Sequence, residues 1–198
     1  MPLCDACQPT LDARLSLPPG VTLGLPADLP APLLQLEWCA PFTGATRRAL
    51  HQLKYGGEQR LARPLGAAIA RRWARAAAGG DLLVPVPVHR ERARTRGYDQ
   101  AVLLARAAAD GLGLPWAALL ERRRATVAQY HLDRGHRASN VAGAFGLVPG
   151  AIASTVAGRW VVLVDDVVTT GATLASCAEV LAGAGALGVS AVTVARER

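Results

Sequence analysis

Val161-Val162-Leu163-Val164-Asp165-Asp166-Val167-Val168-Thr169-Thr170-Gly171-Ala172-Thr173 is the stretch on which the reading of this chain turns. Four aliphatic residues in a row suit a strand buried on both faces of a parallel sheet. Two adjacent carboxylates follow at that strand's end, and open α/β sheets bind ligands outside the carboxyl ends of their strands. Thr169, Thr170, Gly171, Ala172 and Thr173 then make a short hydroxyl-rich turn that opens a helix over residues 173–181. The apolar face of that helix is Leu174, Cys177, Ala178 and Leu181. A helix N-terminus offers unpaired N–H groups and a positive dipole end, so it suits a phosphate. Asp165 and Asp166 suit the other half of such a ligand, sugar hydroxyls and a hydrated Mg²⁺. Carboxylates repel a bare phosphate, so the expected occupant is a phosphorylated sugar with a metal.

Around this stretch, the length of 198 residues fits one α/β domain with a small appendage. Hydrophobic residues make up 51% and aromatic ones only 5%, so the core must be aliphatic. No uninterrupted apolar run reaches the roughly 18 residues of a membrane span, so no membrane insertion is expected. The start, Met-Pro-Leu-Cys-Asp-Ala-Cys, has no charged and apolar regions of a signal peptide. A cytoplasmic protein is expected, with Cys4, Cys7, Cys39 and Cys177 reduced or metal-bound. The net charge is +7, nearly all of it from arginine, with Lys54 the only lysine. Together with heavy use of alanine this fits a coding bias toward Arg. The segment from Arg90 to Arg137 alone carries a net +5, a concentration that favours an anionic partner.

Residues 1–37 are Pro-rich and read as an irregular extension that packs on the domain or forms a minimal metal knuckle. Residues 38–198 form the main domain. A short strand is expected over residues 37–42, helices over 45–55 and 59–78, and an apolar strand over 81–88 that its prolines end early. A helix over 100–112, a short strand near 117–120 and a last strand over 189–195 complete the set. Strands alternating with helices predict a mostly parallel sheet with helices on both faces.

The central stretch resembles the phosphoribosyl pyrophosphate (PRPP) loop of type I phosphoribosyltransferases. Leu53-Lys54-Tyr55-Gly56-Gly57, Val84-Pro85-Val86-Pro87-Val88, then Arg92, Arg94 and Arg96-Gly97-Tyr98-Asp99-Gln100, and Thr126 to Gln129 with Arg137 and Asn140, are similar to the competence protein F (ComF) family. With the PRPP loop the resemblance spans roughly residues 40–198. Asp99 stands where the family usually has Asn.

The resemblance implies a type I phosphoribosyltransferase-like fold with a PRPP-binding-type site and Mg²⁺ accompanying PRPP. It implies a role in natural transformation, the cytosolic handling of imported single-stranded DNA. Competence proteins such as a DNA translocase or a recombination mediator are the protein partners it suggests. Family members generally lack an established transferase substrate. The alternative is therefore an active Mg²⁺-dependent phosphoribosyltransferase of nucleotide metabolism or salvage. Asp165 and Asp166 are the candidate catalytic pair, and Thr169 to Thr173 the phosphate site.

Residues 86–96 correspond to the pyrophosphate loop. In an extended loop Arg92, Arg94 and Arg96 alternate and so point the same way, ready to hold phosphate oxygens bidentately. Arg122, Arg123 and Arg124 precede the segment corresponding to a mobile loop over the active site. With Arg137 they are candidates for pyrophosphate or nucleic acid, or they keep an exposed loop soluble. Tyr55, Tyr98 and Tyr130 offer rings on which a base could stack. Cys4 and Cys7 have the spacing of half a zinc site, and ComF relatives often carry a four-cysteine finger there. The second pair is missing, so the extension reads as a vestigial finger and zinc is not expected.

Overall fold

The structure, a computed structural model, describes residues 7–20, 32–123, 143–150 and 153–197. Its centre is a parallel sheet whose strands run in the order β1 (Leu33–Pro41), β6 (Gly188–Arg196), β5 (Trp160–Val168), β2 (Leu82–Pro85). The strand carrying the aliphatic run is flanked on both sides, as its lack of alternation requires. Val162 and Val164 join the core made by α2 (Gly44–Tyr55), α3 (Ala62–Ala76) and α5 (Gln100–Leu112). Val161 and Leu163 join the opposite core with α6 (Ala172–Gly183) and a small antiparallel pair, β3 (Leu120–Arg122) with β4 (Phe145–Leu147). All four side chains are fully buried, and each contributes roughly 1.5–3 kcal/mol of transfer free energy.

Small residues set the spacing of the helices on the first face. A Cβ on Gly66 of α3 would lie 2.5 Å from the Ala107 Cβ of α5, so only glycine lets the two helices approach this closely. Asp99 caps α5, accepting from the N–H groups of Ala101 (2.8 Å) and Val102 (3.4 Å). A carboxylate caps as well as an amide does, so the departure from Asn at this position leaves the helix start intact.

Several expected elements shift. β1 begins at Leu33, four residues earlier than the expected Glu37, because Leu33 and Leu36 are buried against β6. β2 stops at Pro85, and it lies at the sheet edge, where prolines are tolerated. Residues 115–117 cover that edge: Leu83 N–H donates to Pro115 O at 2.9 Å and Ala117 N–H to Leu83 O at 3.0 Å. The strand expected near 117–120 forms instead at Leu120–Arg122, where Phe145–Leu147 offers it a partner. The largest change is α4 (Arg90–Arg96), a seven-residue helix where an extended arginine loop was expected. The helix starts after His89, whose backbone is still extended, and Gly97, with φ 79°, closes it.

The described part of the N-terminal extension is docked on the main domain. A short helix α1 (Gln8–Leu11) buries Leu11 in the first core. Arg72 of α3 is fully buried and donates to Glu37 of β1 at 2.6 and 2.9 Å. It also donates to the carbonyls of Arg14, Leu17 (3.0 Å) and Pro18 (3.1 Å), tying the extension to the sheet edge. Among the described residues no helix is long and apolar enough to cross a membrane.

Candidate functional site

β5 outlasts its neighbour β2. Pro85 pairs with Val164, and Val86 N–H donates to Val164 O at 2.9 Å, after which the two chains part. On its other side β5 stays paired with β6 through Val168. Asp165 and Asp166 therefore lie inside the strand, not at its end as the sequence suggests, because β6 carries the ladder further. The connections after β2 and β5 also leave in opposite directions, toward α5 on one face and α6 on the other. The crevice between their carboxyl ends is thus a topological switch point, where open α/β sheets bind ligands.

The strand's period of two sends the adjacent carboxylates to opposite faces. Asp166 continues the Val162–Val164 side and is buried, receiving Lys54 Nζ at 2.8 Å and Gln100 Nε2 at 3.0 Å. Gln100 in turn accepts from Arg96 Nη1 at 2.5 Å. One polar chain so joins the ends of α2, α4 and α5 to β5. Burial lowers the Lys54 proton affinity, but the charge and hydrogen bond of Asp166, with Asp165 beyond, lift it above the ordinary lysine value.

Asp165 continues the Val161–Leu163 side. Its Oδ1 accepts from the Asp166 N–H at 2.7 Å. Burial, then the charge of Asp166, holds its carboxyl well above the usual range, against the pull of that hydrogen bond and of Lys54. Arg122 and Cys177 share this side. Burial and then Arg92 lower the Arg122 guanidinium, while Cys177 and Asp165 raise it. Burial and then Asp165 push the Cys177 thiol up, so this cysteine is an inert core residue of α6.

The turn after β5 has the shape the phosphate reading needs. Gly171 has φ 82°, a left-handed conformation that favours glycine, and no side chain caps α6. Thr170 Oγ1 accepts from Ala172 N–H at 3.4 Å, and the next first-turn N–H groups have no partner within the helix. Thr169 is exposed, and Thr170, Ala172 and Thr173 are half-buried.

The arginines separate. In a helix, Arg92 and Arg96 share one side and Arg94 lies on the other, so the alternation expected of an extended loop does not hold. Arg90 pairs with Glu121 at 2.6 Å, which also meets Arg123 at 3.3 Å, binding α4 to β3. Arg124, Arg137, Tyr130, Cys4 and residues 126–129 lie outside the described residues. Tyr98 is committed: it packs on the first core and its hydroxyl donates to Leu53 O. Tyr55 is not, at 67% exposed. Cys39 is buried and its thiol is raised to about 12 by burial, which suits a core residue and not a thiolate ligand. Among the described residues no three His, Cys, Asp or Glu side chains gather as a metal site would require.

Lys54 and Gln100 are the site residues that sequence reasoning passed over. A signal existed for the first: in a chain that uses arginine almost everywhere, one lysine survives, and it meets the buried aspartate. A compact ammonium fits there where a planar guanidinium would not be equivalent.

Fold and site together define a phosphoribosyltransferase-type α/β domain, and residues 99–198 match the phosphoribosyl transferase domain family. Over 200 residues the chain is 33% identical to DNA utilization protein YhgH of Salmonella typhi, covering 93% of this chain and 86% of that protein. The corresponding protein of Escherichia coli K12 is 34% identical over 167 residues, 81% of this chain and 71% of the relative. Competence protein F of Haemophilus influenzae is 34% identical over 102 residues, 51% of this chain and 44% of the relative. The chain belongs to the ComF family. Among solved structures, a glutamine PRPP amidotransferase from B. subtilis superposes with a TM-score of 0.44 at 22% identity, over 66% of this chain and 25% of that one.

Proposed function

We propose that this protein acts in DNA utilisation of the natural-transformation type, handling single-stranded DNA in the cytosol and binding PRPP or a related ribose phosphate at the β2–β5 crevice. The observation that carries the ligand reading is the switch-point crevice, where an uncapped helix N-terminus stands directly after two carboxylates. The DNA half is supported by the relatives' names, DNA utilization protein and competence protein F, and by the basic charge gathered around the crevice.

Mg²⁺ accompanies PRPP in this reading. It keeps most of its waters and takes one or two carboxylates along with ligand phosphates. Asp165, which has no cationic partner within ion-pair distance among the described residues, fits that modest requirement, and Asp166 stands next to it. Asp165 and Asp166 would hold the ion, which would supply screening of the ligand's phosphate charge. A second reading, an active phosphoribosyltransferase, draws on Arg122, which feels the charges of both Asp165 and Arg92. There the carboxylates would stabilise positive charge growing at the sugar's C1, and the arginines the departing pyrophosphate.

Binding of single-stranded DNA should weaken linearly in log affinity as log salt rises, since each neutralised phosphate releases counterions. Replacing Arg122, Arg123 and Arg124 by Gln should flatten that slope by about 2, at about 0.7 per phosphate on a single strand. An unchanged slope would remove these arginines from the DNA path.

A further inference from the structure

Resting on the DNA-handling reading above, we propose a second element of the nucleic-acid path: the outer face of α2 is a stacking track for single-stranded DNA that ends at the crevice. The buried face of this helix is Thr46, Ala49, Leu50 and Leu53. Its exposed face carries Arg47, His51 and Tyr55 at intervals of four, one above the other, with Arg48 and Gln52 beside them. The whole of Gly44–Tyr55 contains four basic-type side chains, Arg47, Arg48, His51 and Lys54, and no acid. Arg47 and Arg48 stand near the amino end, where the helix dipole disfavours cations. That placement is unhelpful to the helix and favourable to an anion.

Rings and charges interleave along this face. The His51 and Tyr55 rings lie 5.0 Å apart at a 52° tilt. The Arg96 guanidinium sits 4.9 Å from the Tyr55 ring, and Arg47 lies 6.0 Å from the ring of Phe42, which precedes the helix. Tyr55 remains 67% exposed with both neighbours against it, in a chain with few aromatic residues. Exposed rings alternating with cations are what a single strand needs: stacking for bases that every sequence offers, and cations for the backbone. From Arg47 to Tyr55 the track runs about 12 Å. It stops beside Lys54, which holds Asp166, and beside Arg96, which reaches the same aspartate through Gln100. A strand laid on α2 is therefore delivered to the crevice. A duplex of equal charge cannot stack on the rings, because its bases already stack on each other.

The test is fluorescence anisotropy of the full chain with a labelled thymidine 20-mer at fixed salt, for wild type, Tyr55→Ala, Tyr55→Phe and Arg47→Gln with Arg48→Gln. Tyr55→Ala should weaken binding about tenfold and Tyr55→Phe less than twofold, the size of one lost base stack. Arg47→Gln with Arg48→Gln should weaken DNA binding while leaving PRPP binding, read by calorimetry, unchanged. Wild type should prefer the single strand to a duplex of the same length. Normal binding by Tyr55→Ala and by the double arginine variant, with wild type binding well, would overturn the track and leave the DNA reading standing. No binding by wild type at low salt would overturn both.

Discussion

A single strand sends the neighbouring carboxylates Asp165 and Asp166 to different surroundings. Asp165 is held protonated above the ordinary aspartate range, so over that interval the folded protein binds a proton that the unfolded chain has released. Stability should therefore fall as pH rises from the ordinary aspartate value through the raised one. Asp165→Asn should abolish that decline and make the ligand-free protein more stable at neutral pH, as urea unfolding across pH would show. An unaltered pH profile would mean that Asp165 is not the strained carboxyl. Asp166 has a charged partner in Lys54 at 2.8 Å. Lys54→Met leaves it with Gln100 alone, and the partly exposed pair should cost about 2 kcal/mol. Lys54→Arg should restore the charge but not the fit, so recovery by arginine would show that charge alone suffices.

At the element scale, the helix α4 changes what its arginines can do. Arg92 and Arg96 are four residues apart on one side of the helix; Arg92 acts on the Arg122 guanidinium and Arg96 is bonded to Gln100. Arg92→Gln or Arg96→Gln should weaken PRPP binding about tenfold, the worth of a charge-assisted hydrogen bond, and Arg94→Gln less than twofold. Equal losses from all three in a calorimetric titration would favour the extended loop. The failure to read α4 from sequence has a physical cause. Arg90-Glu-Arg-Ala-Arg-Thr-Arg96 has no buried residue, hence no hydrophobic period for either a helix or a strand to display. The strand at 161–164 was legible through its unbroken aliphatic run, and the helices at 45–55 and 100–112 because burial writes their period into the residues. The crevice was legible in part, through the two acids and the Thr-Gly-Ala-Thr turn. Its partners were not, because Lys54 and Gln100 lie 112 and 66 positions from Asp166 and only the folded sheet brings them there.

At the scale of the molecule, the β-sheet's β1 edge is sealed by the N-terminal extension through Glu37 and Arg72, a buried pair that also binds three carbonyls. Arg72→Met should cost about 3 kcal/mol, because it leaves buried Glu37 with Arg14, at 3.9 Å, as its remaining cation and strands three carbonyls. It should also make residues 7–20 quickly cleaved by protease while the sheet persists; uniform protection would show that hydrophobic contacts such as Leu11 hold the extension without the pair. The carboxyl ends of β2 and β5 gather the ligand chemistry, away from the β1 edge, so anchoring and binding are kept apart. In the proposed function, Asp165, Asp166 and the turn at Thr169 to Thr173 bind a ribose phosphate with Mg²⁺. Isothermal calorimetry with PRPP and Mg²⁺, comparing wild type with Asp165→Asn and Asp166→Asn combined, tests it most directly. Wild type should bind saturably, and a double variant that still unfolds cooperatively should lose at least about tenfold in affinity; equal affinity in the two proteins, or no binding by wild type, would rule out this site.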